Sequence, residues 1–118
     1  MRVSEIDTPA LLIDREIVLR NLQKMQNYAD AAGVSLRPHT KTHKMPYFAK
    51  LQKSLGAAGI TVAKTGEAEI MAANGLKDIF IANEIVGEPK FQRIIALLRA
   101  GINLSFGADS IEQASLIE

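Results

Sequence analysis

The chain has 118 residues, a formal net charge of +1 and 47% hydrophobic residues, the composition of an ordinary globular domain. The near-neutral charge gives no electrostatic reason to expect nucleic acid or a membrane surface as partner. No apolar run approaches the roughly 18–20 residues of a membrane-spanning helix, and the opening Met1-Arg2-Val3-Ser4-Glu5 lacks the apolar core of a signal peptide. The absence of cysteine excludes disulfides and thiolate metal sites, as suits a reducing cytoplasm.

Short β-like runs alternate with helical patterns along the chain. Ala10-Leu11-Leu12-Ile13 is a brief apolar run after a Thr8-Pro9 turn. Residues from about 15 to 32 read as a helix. Val18, Leu22, Met25 and Ala29 form one face, and Gly33 is the stop. The stretch Val34 to Lys41 is extended in character, because Pro38 opposes helix and biases Arg37 toward β geometry. Pro46 suits a first helical turn, with Phe48, Leu51 and Leu55 as the apolar stripe behind it.

Gly59-Ile60-Thr61-Val62-Ala63 is the next strand. Thr65 is placed to cap a helix running to about Asn74, with Glu67 in its first turn and Gly75 as its stop. Asp78-Ile79-Phe80-Ile81-Ala82 is a further strand. Pro89 opens a helix with Phe91, Ile95 and Leu98 on one face, ended by Gly101. Ile102-Asn103-Leu104-Ser105-Phe106 is the fifth strand, followed by a Ser110/Gln113 capping-box pattern.

This alternation predicts an α/β fold with a parallel sheet and right-handed crossovers, in about five βα units. At this spacing eight units would need about 200 residues, the scale of a (β/α)₈ TIM barrel. The chain therefore reads as an open sheet or as a partial barrel. A helix still running at Glu118 favours the partial barrel, a truncated piece expected to aggregate or to be inactive alone.

The segment richest in chemistry is Arg37-Pro38-His39-Thr40-Lys41-Thr42-His43-Lys44. If it continues as a strand, alternation places Arg37, His39, Lys41 and His43 on one face, and Thr40 toward the helices. From composition alone such residues at a strand end read as a solvated loop. Four basic or imidazole groups on one interior face would repel one another unless an anion or a cofactor sat among them. A lysine crowded by cations and partly desolvated is freed to react with an aldehyde as the neutral amine.

That run resembles the cofactor-lysine motif of the D-threonine aldolase / D-serine dehydratase family. These are fold-type III pyridoxal-phosphate (PLP) enzymes related to the N-terminal barrel of alanine racemases. The resemblance extends over essentially the whole chain. Thr8-Pro9-Ala10-Leu11-Leu12-Ile13-Asp14 is similar to the family's opening strand. Ala63-Lys64-Thr65-Gly66-Glu67-Ala68-Glu69 and Ile81-Ala82-Asn83-Glu84-Ile85-Val86-Gly87 are similar to its next two strand ends. Alanine racemases carry Lys-Ala-Asn-Ala-Tyr-Gly at the lysine, so the departure here argues against racemase activity.

The resemblance implies that residues 1–118 are the N-terminal portion of a PLP-binding TIM-barrel domain, with the remaining strands and a β-rich domain outside it. Lys41 would carry the Schiff base, with His39, Arg37 and His43 as further cofactor-binding candidates. On the residues themselves each imidazole either tunes the cofactor or packs beside it. Arg37 either adds positive potential or pairs with an acid. Asn83 reads first as a turn residue, Glu67 as a helix-terminus residue and Lys44 as a solvated helix-start residue.

The implied activity is a lyase of D-configured β-hydroxy amino acids, D-threonine aldolase-like, giving glycine and an aldehyde. The alternatives are D-serine dehydration and a non-catalytic PLP-binding module. The family's divalent metal, zinc or manganese, and its phosphate loop would be held by residues outside this chain, so no metal ligand is assigned in it. The whole protein would be a cytoplasmic homodimer acting on a small D-amino acid.

Overall fold

The computed structural model describes residues 2–117. Its order is α1 (Arg15–Ala31), α2 (Pro46–Ser54), β1 (Ile60–Val62), α3 (Thr65–Ala73), β2 (Asp78–Glu84), α4 (Glu88–Arg99), β3 (Asn103–Gly107) and α5 (Ile111–Ile117). The strands form one parallel sheet in the order β1-β2-β3. Ile60 lies beside Ile79, and Ile79 beside Leu104. No helix among the described residues is long and apolar enough to cross a membrane.

Each helix begins and ends for a local reason. At the start of α1, the Asp14 carboxylate accepts the Ile17 N–H at 3.0 Å. The helix stops at Gly33, which takes the left-handed φ of +67° that glycine tolerates, while the Val34 N–H returns to the Ala29 carbonyl. Proline stands in the first turn of α2 and α4, where its missing N–H costs no helical bond. At α5, Ser110 Oγ accepts the Gln113 N–H, and the Gln113 side chain accepts the Asp109 N–H, one residue before the expected partner.

The core lies between one face of the sheet and the helices. Ile60, Val62, Ile79 and Ile81 have no exposed surface, and Ala68, Met71, Ile85 and Ile94 close over them. On the other face, Thr61, Phe80 and Ser105 lie level with one another; Thr61 is buried, Phe80 half-buried and Ser105 exposed. The radius of gyration is 17.0 Å, against the roughly 13–14 Å of a closed domain of this length. The sheet is open and much apolar surface faces outward, Leu11 and Ile111 among it.

Three expectations are corrected. The run Ala10–Ile13 forms no strand, pairs with none among the described residues and is exposed. Hydrophobicity there supplied no neighbour to complete the ladder. The stretch Val34–Lys41 makes a single parallel bridge, His39 beside Thr61, and then winds into a 3₁₀ turn over Thr40–Thr42. Among the described residues three strands are thus present where five were expected. Finally, Thr65 is the first residue of α3 and not its cap. Lys64 holds the cap position, and the buried Thr65 hydroxyl has no partner.

Candidate functional site

The His39–Thr61 bridge fixes where the motif sits. On one side of it, the Thr61 N–H donates to the Pro38 carbonyl at 2.8 Å, and the Thr61 hydroxyl donates to the Arg37 carbonyl at 3.2 Å. On the other side, the Thr40 hydroxyl donates to the Thr61 carbonyl at 3.1 Å. Thr40 is 1% exposed, so this is a buried bond in a dry setting. Parallel pairing then carries Lys41 to the C-terminal end of β1, the end at which parallel α/β sheets bind ligands.

The turn itself closes on Thr40. Its carbonyl accepts the His43 N–H at 3.2 Å and the Lys44 N–H at 2.7 Å. Lys44 reaches this geometry with a φ of +52°, uncommon for a residue with a Cβ. His39 Nδ1 accepts the Lys41 N–H at 3.2 Å. Lys41 is exposed and takes part in none of the ion pairs among the described residues. The expected desolvation of its amine is therefore not what this chain provides.

The expected single face of basic groups does not form, because strand alternation ends where the 3₁₀ turn begins. Arg37 lies at the opposite end of the sheet and pairs with Asp78, the first residue of β2. Gly59 makes room for the pair. A Cβ there would come within 2.9 Å of the Asp78 carboxyl carbon. His43 is partly buried and packs edge-on to Phe48, with ring centroids 5.5 Å apart. Its Nδ1 accepts the Met45 N–H at 3.0 Å, which places the ring proton on Nε2. Burial pushes His43 below its ordinary value. Buried Nε2 and the buried Gln52 Oε1 both lack a partner of good geometry, and each is the kind the other needs.

Two residues do more than their sequence context suggested. Thr40 anchors the turn to β1. The Glu67 carboxylate, 10% exposed at the side chain, accepts the Ala63 N–H at 2.8 Å with one oxygen and meets Lys44 Nζ at 3.3 Å with the other. Burial alone would raise the Glu67 carboxyl. The Ala63 amide and the Lys44 ammonium outweigh it and hold the group below its ordinary value. Lys44 and Glu67 also wall a cavity of about 340 Å³ floored by Ile70 and Met71. Asn83 reaches back to the Ala63 carbonyl at 3.4 Å, a link between the ends of β1 and β2. Glu69 pairs instead with Arg93 of α4, and that pairing lowers its carboxyl. Among the described residues no three His, Asp or Glu side chains converge as metal ligands.

The chain is 38% identical over 113 residues to 3-hydroxy-D-aspartate aldolase of Paracoccus denitrificans, covering 95% of this chain and 29% of that protein. It is 43% identical over 97 residues to D-threonine aldolase of an Arthrobacter species, covering 82% of this chain and 26% of that protein. The structure superimposes on that of D-threonine aldolase from Filomicrobium marinum with a TM-score of 0.94 and 37% identity, over 98% of this chain and 31% of the other. The chain is a homologue of the D-threonine aldolases.

The same relationship extends to enzymes named for elimination. D-threo-3-hydroxyaspartate dehydratase of a Delftia species is 40% identical over 112 residues, which cover 95% of this chain and 29% of that protein. An alanine-racemase-like protein from Idiomarina loihiensis matches with a TM-score of 0.87 at 35% identity, over 98% of this chain and 31% of the other. The α/β fold with its parallel sheet is thus shared with alanine-racemase-like structures. No protein-family model matches the chain. The chain spans about 30% of the length of the relatives it matches.

Proposed function

We propose that this chain is the lysine-bearing part of a PLP-dependent lyase acting on D-configured β-hydroxy amino acids. One observation carries the reading. In a homologue of D-threonine aldolase, an exposed lysine stands in a turn fixed at the C-terminal end of a parallel sheet. On this reading residues 1–118 form part of a (β/α)₈ barrel, with the unpaired Ala10–Ile13 run and the Val34–Lys41 stretch completing their pairing in the whole protein. That protein works as a cytoplasmic homodimer, and its metal ligands lie outside these residues.

The donor set fits the cofactor. PLP needs a primary amine that can reach its aldehyde, and Lys41 offers one that no carboxylate among the described residues pairs. When bound, the cofactor supplies an electron sink that makes a bond at the substrate Cα breakable. The chain's own residues orient and fix. Thr40 holds the Lys41 backbone against β1, and His39 Nδ1 takes up the Lys41 N–H. His39 is the imidazole placed beside the lysine. The interactions of Arg37 and His43 support roles in holding the fold.

Borohydride reduction of the PLP-treated protein, followed by peptide mapping, tests the assignment. The label is expected on Lys41 and is expected to vanish in Lys41→Ala. A label unchanged in Lys41→Ala rejects the reading. Products separate the two chemistries. Glycine with an aldehyde from D-threonine marks the aldolase, whereas ammonia without glycine marks the dehydratase, a second reading supported by the 40% identity to the Delftia dehydratase.

A further inference from the structure

The contacts around Lys41 close into a ring. Thr61 of β1 holds Thr40 through its carbonyl, and Thr40 holds the backbone of Lys44. The Lys44 ammonium then reaches Glu67 on α3, and Glu67 returns to the end of β1 through the N–H of Ala63, the residue that follows the strand. Lys41 sits inside the arc that this ring spans, between its two anchored points at residues 40 and 44.

Each link has a cost that needs explaining. Lys44 occupies left-handed backbone space, which disfavours any residue with a side chain. Glu67 is a carboxylate held almost out of water, which is unfavourable unless its charge is met. The two costs are met by the same contact. With the left-handed residue in place, the Lys44 side chain, anchored at a turn, reaches the carboxylate of a helix that follows the next strand.

We propose that Glu67 and Lys44 are positioning residues for Lys41. The Lys44–Glu67 pair clamps the far side of the Thr40–Thr42 turn to the β1–α3 junction, and Glu67 registers that junction by binding the Ala63 amide. The turn is thereby pinned at both ends, and the Lys41 amine samples a small volume above the strand ends. Released at residue 44, the turn would keep Thr40 and the packing of His43 on Phe48 but lose its tie to α3, and the amine would spend less time where an aldehyde is presented. The inference rests on the assignment of Lys41 as the cofactor lysine.

Two measurements on the intact protein test it, one of them independent of PLP. Amide exchange at His43 and Lys44 reads the turn directly, since both N–H groups bond to the Thr40 carbonyl. Lys44→Met and Glu67→Gln are each expected to speed that exchange by about two- to fivefold, the range a partly exposed ion pair can supply. Borohydride-fixed PLP labelling at Lys41, measured against labelling at the exposed Lys24 of α1 as internal reference, is expected to slow in both variants. Glu67→Gln added to Lys44→Met is expected to slow it no further. Unchanged exchange, or labelling losses that simply add, overturns the positioning role. Labelling of another lysine in the unmodified protein defeats the Lys41 assignment instead, and the exchange measurement still decides the clamp.

Discussion

Replacing Thr40 by valine isolates the bond that ties the motif to the sheet. The two side chains have nearly the same shape, so no cavity opens at a residue that is 1% exposed. What disappears is one buried hydrogen bond of 3.1 Å to the Thr61 carbonyl. The bond itself contributes about 0.5–1.5 kcal/mol, and leaving a buried carbonyl short of a donor raises the total to about 1–2 kcal/mol. For a chain this size, a urea dependence of roughly 1–1.5 kcal/mol per molar converts that loss into a midpoint lowered by about 1 M. Urea unfolding followed by far-ultraviolet circular dichroism measures it. The slope should stay constant, because the same surface is exposed on unfolding. PLP labelling at Lys41 should fall as well. A midpoint equal to or above that of the parent protein would refute the role given to the Thr40 hydroxyl.

Other outcomes follow from the two ends of the sheet. Arg37→Met is expected to cost at most about 1 kcal/mol, because the pair with Asp78 is one-third exposed on each side and screened by water. Labelling of Lys41 should survive that change; lost labelling with unchanged stability would return Arg37 to the cofactor site. Gly59→Ala should be worse than Arg37→Met, since its Cβ strikes the Asp78 carboxyl and the guanidinium together, and the penalty should shrink in an Arg37→Ala background. The Glu67 carboxyl titrates below its ordinary value of 4.5 in the folded chain. The unfolded chain therefore takes up this proton first as pH falls. The stability it confers is complete above about 4.5 and is lost as pH drops through the lower folded value. Glu67→Gln should flatten the acid limb of a stability–pH curve, and a limb of unchanged steepness would contradict the assignment.

The regular part of the fold was legible in the residues. Strands around Thr61, Phe80 and Leu104, and the helices between them, follow from apolar periodicity punctuated by glycine and proline. Pairing was less legible, because a strand needs a neighbour as well as a pattern. Ala10–Ile13 has the composition of a strand and no partner among the described residues. The end of the motif was harder still. Alternation predicts one face for Arg37, His39, Lys41 and His43, but Thr40 turns inward to reach a carbonyl on β1 and the period is lost there. Lys41 could be picked out by its motif. Glu67 could not be linked to it, because the two are joined only through Lys44 and a left-handed backbone that no spacing reveals.

The Arg37–Asp78 pair and Lys41 lie at opposite ends of one short run of chain, separated by at most about 13 Å of extended backbone. That separation divides the labour of the sequence. Changes in the segments that follow the strands can reshape what approaches the lysine while the bolt at the other end keeps the sheet in register. A relative named as an aldolase and one named as a dehydratase match this chain almost equally well, as expected where the sheet is kept and the segments around its far end are free to vary.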